Sequence, residues 1–137
     1  MSVNKVNEPC QFCEIIKKKH PATILYEDGD IIAFNAEPNY YRVHVLILPK
    51  EHIASLRELK SGSFDLASFN GIDAHQEEHL LGKMVVTAIK LARHTGIFET
   101  GFRLVINTGE DAIQKIQHLH LHMMGGERMD FEPRIER

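Results

Sequence analysis

Three histidines near the end of the chain alternate with apolar residues, and this pattern constrains the local fold more than any other stretch. His118, His120 and His122 are separated by Leu119 and Leu121. In a β-strand, side chains two positions apart project from the same face and lie roughly 6–7 Å apart. The pattern therefore predicts a strand that buries its leucines on one face and displays a row of imidazoles on the other.

Length and composition favour a single globular domain. The chain has 137 residues, of which 43% are hydrophobic and 26% are charged, and its formal net charge is −3. A weakly acidic chain argues against a broad nucleic-acid-binding surface. No apolar stretch has the length of a transmembrane helix, and the first residues lack the apolar core of a signal peptide. We therefore expect a cytoplasmic protein with no nucleic-acid partner and no membrane association.

Strand signals recur along the chain and favour an antiparallel sheet. The turn Asp28-Gly29 lies between two apolar runs, which is typical of a hairpin. Because strands and helices do not alternate as βαβ units, we expect an α+β fold with its helices on one side of the sheet. The expected strands span residues 23–27, 30–34, 42–48, 102–107 and 118–124.

Two helices are expected, at residues 11–19 and 74–94. The second carries an apolar stripe at three- and four-residue spacing, which we expect to be buried. That stripe comprises Leu80, Leu81, Met84, Val85, Ala88, Leu91 and Ala92. We expect residues 1–9 to form a flexible N-terminus, 60–73 a surface insertion, and 10–137 one domain.

Three kinds of chemistry are compatible with the row of histidines. Buried structural imidazoles would each need a hydrogen-bond partner. A single metal ion is reached poorly by all three, since the outer two Cα atoms of a straight strand are roughly 13 Å apart. A neutral imidazole can also attack phosphorus while a neighbouring histidine protonates the leaving group. This last interpretation uses the whole row, and we favour it.

Cys10 and Cys13 form a C-x-x-C pair, the only cysteines of the chain. In a reducing compartment such a pair indicates a metal or redox role rather than a structural disulfide. The thioredoxin-like context that a redox motif needs is absent. A metal site and two reduced thiols packed under the first helix remain as alternatives.

The sequence resembles the histidine triad (HIT) family of nucleotide hydrolases and transferases. His118-Leu-His-Leu-His-Met-Met matches the family signature H-φ-H-φ-H-φ-φ, where φ is apolar. Further segments resemble the family in the same order, and the resemblance covers roughly residues 10–129. The short tail after Gly125-Gly126 is most similar to the histidine triad nucleotide-binding (Hint-like) branch. The other segments are Cys10-Gln-Phe-Cys-Glu-Ile-Ile, Tyr26-Glu-Asp, Ala33-Phe-Asn, His44-Val-Leu-Ile-Leu-Pro-Lys-Glu-His-Ile and Val105-Ile-Asn-Thr-Gly.

The resemblance implies both a fold and an activity. The fold would be a five-stranded antiparallel sheet with two helices, pairing as a homodimer into a ten-stranded sheet. The activity would be hydrolysis of purine nucleoside phosphoramidates or related nucleotidyl linkages through a covalent nucleotidyl-histidine intermediate. The alternatives are a dinucleoside polyphosphate hydrolase and a nucleotide-binding adaptor with little turnover.

The resemblance also assigns catalytic roles to four histidines. His120 would be the nucleophile, and His122 would contact the phosphate and serve the leaving group. His118 would orient the site. His44 would lie on the adjacent strand, beside the triad.

Nucleotide contacts follow from the same resemblance. Phe12 and Ile15 would line the purine pocket, and Asn107 would hydrogen-bond the phosphate end. In the loop before the triad, Lys115 replaces a small hydroxyl residue of the family, and its charge can neutralise phosphate.

The ribose contact departs from the family pattern. The branch often carries an aspartate that grips the ribose hydroxyls at the position of Ala36. Asn35 and Glu37 flank this position, and a shift of one residue would let Glu37 take the role.

Some members of the family bind a structural zinc ion. The resemblance extends that site to this chain as a Cys₂His₂ set of Cys10, Cys13, His52 and His118. No cofactor would be required for catalysis itself.

Overall fold

The computed structural model of the chain describes residues 10–59 and 75–130. The expected flexible N-terminus (1–9) and surface insertion (60–73) lie outside these residues. The helices are α1 (Gln11–Ile16) and α2 (His75–His94), with a short 3₁₀ helix at Leu56–Glu58. The strands are β1 (Ile24–Glu27), β2 (Ile31–Asn35), β3 (Val43–Pro49), β4 (Phe102–Val105) and β5 (Leu121–Gly125).

The five strands form one sheet in the order β1-β2-β3-β5-β4. Every neighbouring pair is antiparallel. This architecture confirms the predicted α+β fold with a five-stranded antiparallel sheet and two helices. β5 lies between β3 and β4, so His122 has Leu46 on one side and Val105 on the other.

The two helices pack on opposite faces of the sheet, so the expectation that both lie on one side is wrong. On one face, Ala33 and Ile47 pack with residues of α2 such as Ala88. On the other face, Phe34 and Leu46 pack with Phe12 of α1. The physical reason is that β2 and β3 are apolar at successive positions, and successive strand residues point to opposite faces.

α2 buries a narrower stripe than the sequence predicted. Met84, Ala88, Leu91 and Ala92 are buried as expected, and Thr87 joins them. Val85 is 38% exposed, which corrects its place in the predicted stripe. Among the described residues, no helix is long and apolar enough to cross a membrane.

α1 is shorter than the expected span of 11–19. It begins after Cys10, whose Sγ accepts a hydrogen bond of 3.4 Å from the main-chain N–H of Cys13. The chain leaves the helix at Lys18, which has a φ of 64°. A left-handed residue of this kind cannot continue a right-handed helix. The buried side chains of α1 are Phe12 and Ile15.

β5 begins at Leu121 rather than at the predicted His118. The ladder between β3 and β5 ends at the pair Ile47 and Leu121. Pro49 lies two residues further along β3 and has no N–H to donate. Its carbonyl oxygen accepts a hydrogen bond from the side chain of His118. Side chains before β5 nevertheless keep alternating between the two faces of the sheet. Leu119 shows this, since it is buried in the core beneath α2.

Candidate functional site

The three histidines of the row are all buried, on the face of the sheet opposite α2. Ring centroids of His120 and His122 lie 4.8 Å apart. Phe12 of α1 contacts this row, with its ring centroid 5.1 Å from that of His120. The sheet therefore brings the triad against the short N-terminal helix, as the sequence interpretation requires.

A main-chain hydrogen bond fixes the tautomer of His120. Its Nδ1 donates to the carbonyl oxygen of His118 over 2.7 Å. A carbonyl only accepts, so Nδ1 of His120 carries the proton and the lone pair of the neutral ring resides on Nε2. This is the arrangement that a nucleophilic imidazole needs.

A second pair of hydrogen bonds sets the tautomers of His44 and His122. The main-chain N–H of Tyr40 donates to Nδ1 of His44 over 3.3 Å, so neutral His44 is protonated at Nε2. That Nε2 lies 3.0 Å from Nδ1 of His122 and donates to it. Neutral His122 therefore carries its own proton on Nε2 and can donate it in a hydrogen bond.

A cavity of about 800 Å³ opens over these histidines. Its size lies within the usual range for small-molecule sites. Asn107 follows β4 and is not among the described residues that line it, whereas five predicted nucleotide contacts are. Those five are Phe12, Ile15, Asn35, Glu37 and Lys115; the remaining lining residues are Gln11, His20, Pro21, Ala22, Thr23, Phe34, Ala36, Pro38, Tyr40, His44, Leu46, Ile116, His120 and His122.

A second cluster lies beside the triad and consists of Cys10, Cys13, His52 and His118. One potential ligand atom from each residue lies within 4.8 Å of all the others. Nδ1 of His118 is 3.4 Å from Sγ of Cys10, 3.6 Å from Sγ of Cys13 and 3.2 Å from Nδ1 of His52. The distance from Sγ of Cys13 to Nδ1 of His52 is 3.3 Å.

These distances match the edges of a tetrahedron around zinc. Bonds of about 2.3 Å to sulfur and about 2.0 Å to nitrogen place two nitrogen ligands roughly 3.4 Å apart, and a sulfur and a nitrogen roughly 3.6 Å apart. The four side chains therefore fit a metal ion without rearrangement of the backbone. Two thiols with two imidazoles also suit zinc by ligand type.

The surroundings of His118 favour its neutral form, which is the form that can bind a metal ion. Burial lowers its pKa to about 4, although the hydrogen bond with Pro49 acts in the opposite direction. Its Nε2 donates to the carbonyl oxygen of Pro49 over 2.8 Å, which leaves the lone pair on Nδ1, the atom facing the cysteines. Burial, followed by the neighbouring Cys10, raises the pKa of the Cys13 thiol to about 11. A bound cation reverses that effect, because it stabilises the thiolate.

Sequence reasoning missed two residues of this region. Gln114 is completely buried and donates through Nε2 to the carbonyl oxygens of Ala54 and Ile116, while its Oε1 accepts from the N–H of Gly109. Tyr40 lines the cavity and holds His44 through its main chain. A glutamine in a polar loop gives no signal of burial, but an aromatic residue in the polar stretch between two strands is such a signal.

The sheet, the row of histidines under a ligand-sized cavity, and the adjoining Cys₂His₂ cluster define an α+β protein with a histidine-based site. A family model described as a HIT domain matches residues 17–129, and the chain belongs to that family. The resemblance drawn from the sequence is thereby confirmed.

Relatives are similar to this chain over most of its length. The protein named Adenylylsulfatase HINT1 of Arabidopsis thaliana is 33% identical over 129 residues, which cover 93% of this chain and 78% of that protein. The 14 kDa zinc-binding protein of Brassica juncea is 35% identical over 124 residues, covering 89% of this chain and 96% of that protein. A solved structure of a HIT family hydrolase from Legionella pneumophila Philadelphia 1 has a TM-score of 0.75 and 34% identity, covering 91% of this chain and 99% of that one.

Proposed function

We propose that this protein is a nucleotide-binding hydrolase that cleaves purine nucleoside phosphoramidates or related nucleotidyl linkages. The observation that carries the proposal is the orientation of His120, whose Nδ1–H is held by the carbonyl of His118 at the floor of the cavity. Relatives named as a HIT family hydrolase and as an adenylylsulfatase support hydrolysis of a nucleotidyl linkage.

In the first step, Nε2 of His120 attacks the phosphorus next to the ribose. A nitrogen–phosphorus bond forms, the bond from phosphorus to the leaving group breaks, and the leaving atom keeps the electron pair. The imidazole gains positive charge, which the hydrogen bond from Nδ1–H to the carbonyl of His118 stabilises. The Nε2–H group of neutral His122 donates a hydrogen bond to the leaving atom, and an amine leaving group takes up one proton from solvent as it departs.

In the second step, water attacks the same phosphorus and breaks the nitrogen–phosphorus bond. The proton of that water passes to solvent, His120 returns to its neutral form, and a nucleoside monophosphate is released. His44 keeps His122 in the required tautomer through the 3.0 Å hydrogen bond between them. Neither step involves a change of oxidation state.

The apolar end of the cavity suits a purine. Phe12 and Phe34 meet edge to face with centroids 5.6 Å apart, and Ile15 belongs to the same cluster. Aromatic and aliphatic walls of this kind bind a planar base. We assign the ribose contact to Asn35 or Glu37, the phosphate contact to Lys115, and a supporting polar contact to Asn107.

We propose that Cys10, Cys13, His52 and His118 hold a structural zinc ion. The support is the tetrahedral spacing of their ligand atoms and the relatives named as zinc-binding proteins. Four protein ligands close a zinc site, so it supplies rigidity rather than a reactive metal-bound water. Free thiols serving as ligands require a reducing compartment, and we therefore assign the protein to the cytoplasm.

We further propose a homodimer formed through β4. Among the described strands, β4 pairs only with β5 and is an edge of the sheet. On α2, Val85, Val86 and Ile89 are exposed apolar side chains. Pairing of two β4 edges about a two-fold axis would cover these residues and join two sheets into ten strands. Light scattering should give twice the chain mass, and a monomer at micromolar concentration contradicts this proposal.

Trapping the covalent intermediate tests the proposed activity. Wild-type protein is mixed with an adenosine phosphoramidate, quenched by denaturation above neutral pH, and analysed by intact-mass spectrometry. We expect an added nucleotidyl group in the wild type and in His94→Ala, a matched change at an exposed histidine of α2, and none in His120→Ala. An adduct in His120→Ala overturns the assignment of the nucleophile. Nucleotide binding without adduct or turnover favours the adaptor instead.

A further inference from the structure

The floor of the cavity contains a row of side chains that crosses three neighbouring strands. Phe34 of β2 is paired with Leu46 of β3, and Leu46 is paired with His122 of β5. All three residues line the cavity. Because neighbouring strands are about 4.8 Å apart, the row extends about 10 Å from the base pocket to the histidines, with Leu46 in its middle.

A nucleotide that binds along this row places its sugar over Leu46. In the proposed function the base contacts Phe12 and Phe34, whose rings meet edge to face, and the phosphorus lies at His120. The sugar joins the base to the phosphate, so it occupies the part of the floor between them.

Ala36 borders the same part of the floor. Its N–H donates to the carbonyl oxygen of His44 over 2.9 Å, which continues the pairing of β2 with β3 by one residue beyond Asn35. Because side chains alternate along a strand, Ala36 shares the cavity face with Phe34, and both pack with Leu46 in one apolar cluster. Leu46 and Ala36 are 7% and 6% exposed. The surface beneath the sugar is therefore apolar.

The polar side chains beside Ala36 add little to the recognition of the sugar. His44 lies opposite Ala36, and both of its ring nitrogens are already hydrogen-bonded, Nδ1 to a main-chain N–H and Nε2 to His122. Asn35 and Glu37, which flank Ala36, are exposed. A hydrogen bond from a ribose hydroxyl to an exposed side chain replaces a hydrogen bond to water, so its net contribution to affinity is small.

We propose that the cavity does not select ribose, so that 2′-deoxynucleotidyl compounds are substrates alongside their ribose counterparts. This inference rests on the proposed function and names the sugar of its substrate. Leu46 and Ala36 determine the property, because neither side chain can form a hydrogen bond with the 2′-hydroxyl. A site rejects an analogue that lacks a hydroxyl only when a buried polar group of the site would lose its partner.

Calorimetry with two ligands that are not turned over tests the inference. Wild-type protein is titrated with adenosine monophosphate and with 2′-deoxyadenosine monophosphate, which differ in the 2′-hydroxyl alone. One net hydrogen bond changes affinity by roughly 2- to 12-fold, so without one we expect dissociation constants within about threefold of each other. Hydrolysis of the two corresponding phosphoramidates should also agree within about threefold in kcat/KM. A larger preference for ribose in binding overturns the inference.

Ala36→Asp tests the position of the sugar. A carboxylate there should accept a hydrogen bond from the 2′-hydroxyl and create a preference for ribose of about 10-fold or more. Ala22→Asp introduces the same charge at another alanine of the cavity lining and should create none. Thermal melting establishes that the variants are folded, and Ala36→Ser replaces Ala36→Asp if the carboxylate prevents folding. A folded variant at Ala36 that binds both nucleotides equally overturns the inference, because the sugar then lies elsewhere.

The outcomes separate this inference from the proposed function. If both nucleotides bind but the ribose form is preferred by more than threefold, the sugar inference is wrong while nucleotide binding stands. Loss of that preference in Glu37→Ala would then assign it to the exposed carboxylate. If neither nucleotide binds to the wild type, the proposed function itself fails.

Discussion

The carbonyl oxygen of His118 accepts a 2.7 Å hydrogen bond from Nδ1 of His120, while the ring of the same His118 belongs to the Cys₂His₂ cluster. The cluster and the proposed nucleophile are therefore connected through a single residue. Phe12 strengthens the connection, because it lies between the two cysteines in sequence and contacts both histidine rings. Loss of the cluster should consequently be felt in the base pocket and at His120.

Replacing one ligand tests this connection. We expect Cys13→Ser to lose zinc, and to lower the melting temperature by roughly 10 °C, since a structural metal contributes several kcal/mol to folding. Metal analysis and thermal melting measure the two effects. A chelator should bring the wild type to the melting temperature of Cys13→Ser and leave that variant unchanged. A wild-type melting temperature that ignores both chelator and added zinc contradicts the metal site.

His44 should matter through the tautomer of His122. His44→Phe keeps an aromatic ring but removes the donor to Nδ1 of His122, so we expect kcat to fall roughly 10- to 100-fold. His44→Gln retains an N–H near the same place and should restore part of the rate. Nitrogen NMR of His122 should show its proton on Nε2 in the wild type. A proton on Nδ1 there disagrees with the hydrogen-bond direction argued above.

Gln114 should contribute to stability far more than its neighbour Gln117. Gln114→Ala leaves one buried and two partly buried main-chain groups without this partner, and we expect a loss of about 2–4 kcal/mol in the free energy of unfolding. Gln117→Ala removes one hydrogen bond, to the carbonyl of Gln114, and should cost about 1 kcal/mol or less. Urea denaturation compares them. Equal losses would mean that the buried network does not hold the loop.

Ile113 adopts a φ of 58°, a conformation that is unfavourable for a β-branched residue. Ile113→Gly relieves a strain of roughly 1–2 kcal/mol but makes the unfolded chain more flexible, so we expect a net gain of about 0.5–1 kcal/mol. Ile113→Ala keeps the strained backbone and serves as the control, with little or no gain. Chemical denaturation of the two variants decides the point, and a destabilised glycine variant refutes the strain.

Asp28 should make the free energy of unfolding depend on pH in the acidic range. Burial acts to raise its pKa, but hydrogen bonds from Lys83, Tyr26 and the N–H groups of Ile31 and Asp30 outweigh it and hold the pKa well below the usual 3.8. A carboxylate whose pKa is lowered by folding stabilises the fold at any pH above its pKa in the unfolded chain. This stabilisation is lost as the pH falls through the pKa of the carboxylate in the folded protein.

The matching variant is Asp28→Asn. At pH 7 this variant should lose about 1 kcal/mol in the free energy of unfolding, a small value because the carboxylate is partly exposed. The difference in this free energy from wild type should shrink below pH 4. Asp30→Asn removes the more exposed partner of the same lysine and should have a smaller effect. Urea denaturation at pH 7 and pH 3 measures both variants. A gap that widens in acid contradicts the sign of the shift.

Local patterns predicted the strands and both helices, because alternation and helical spacing are properties of neighbours in sequence. The residues expected around the triad followed instead from the resemblance to the HIT family. Local patterns did not predict which face each helix covers. Residues such as Ile32 and Ile31 are equally apolar, and only packing distinguishes their faces. They also missed that the β3–β5 ladder ends at Ile47 and Leu121, and that the carbonyl of Pro49 accepts a hydrogen bond from His118, 69 positions away in sequence.

The site was predicted least well where polar residues are buried. Gln114 occupies a loop that reads as solvent-exposed, and its role depends on carbonyl groups that come close only in the folded chain. Asn107 is not among the described residues that line the cavity, and its contact with the phosphate end stays a prediction. Val85 belongs to the apolar stripe of α2 but is exposed, because the part of the helix that is buried is narrower than the apolar stripe.

The sheet separates scaffold from chemistry, since α2 covers one face and the cavity occupies the other. A substitution on the buried side of α2, for example at Ala88, is separated from the cavity by the sheet. Changes at Ala36, Tyr40 or Lys115 alter the cavity wall without entering that core. Substrate preference in such a protein can therefore diverge between lineages at little risk to folding, and a laboratory selection for new leaving groups should find its useful mutations on the cavity face alone.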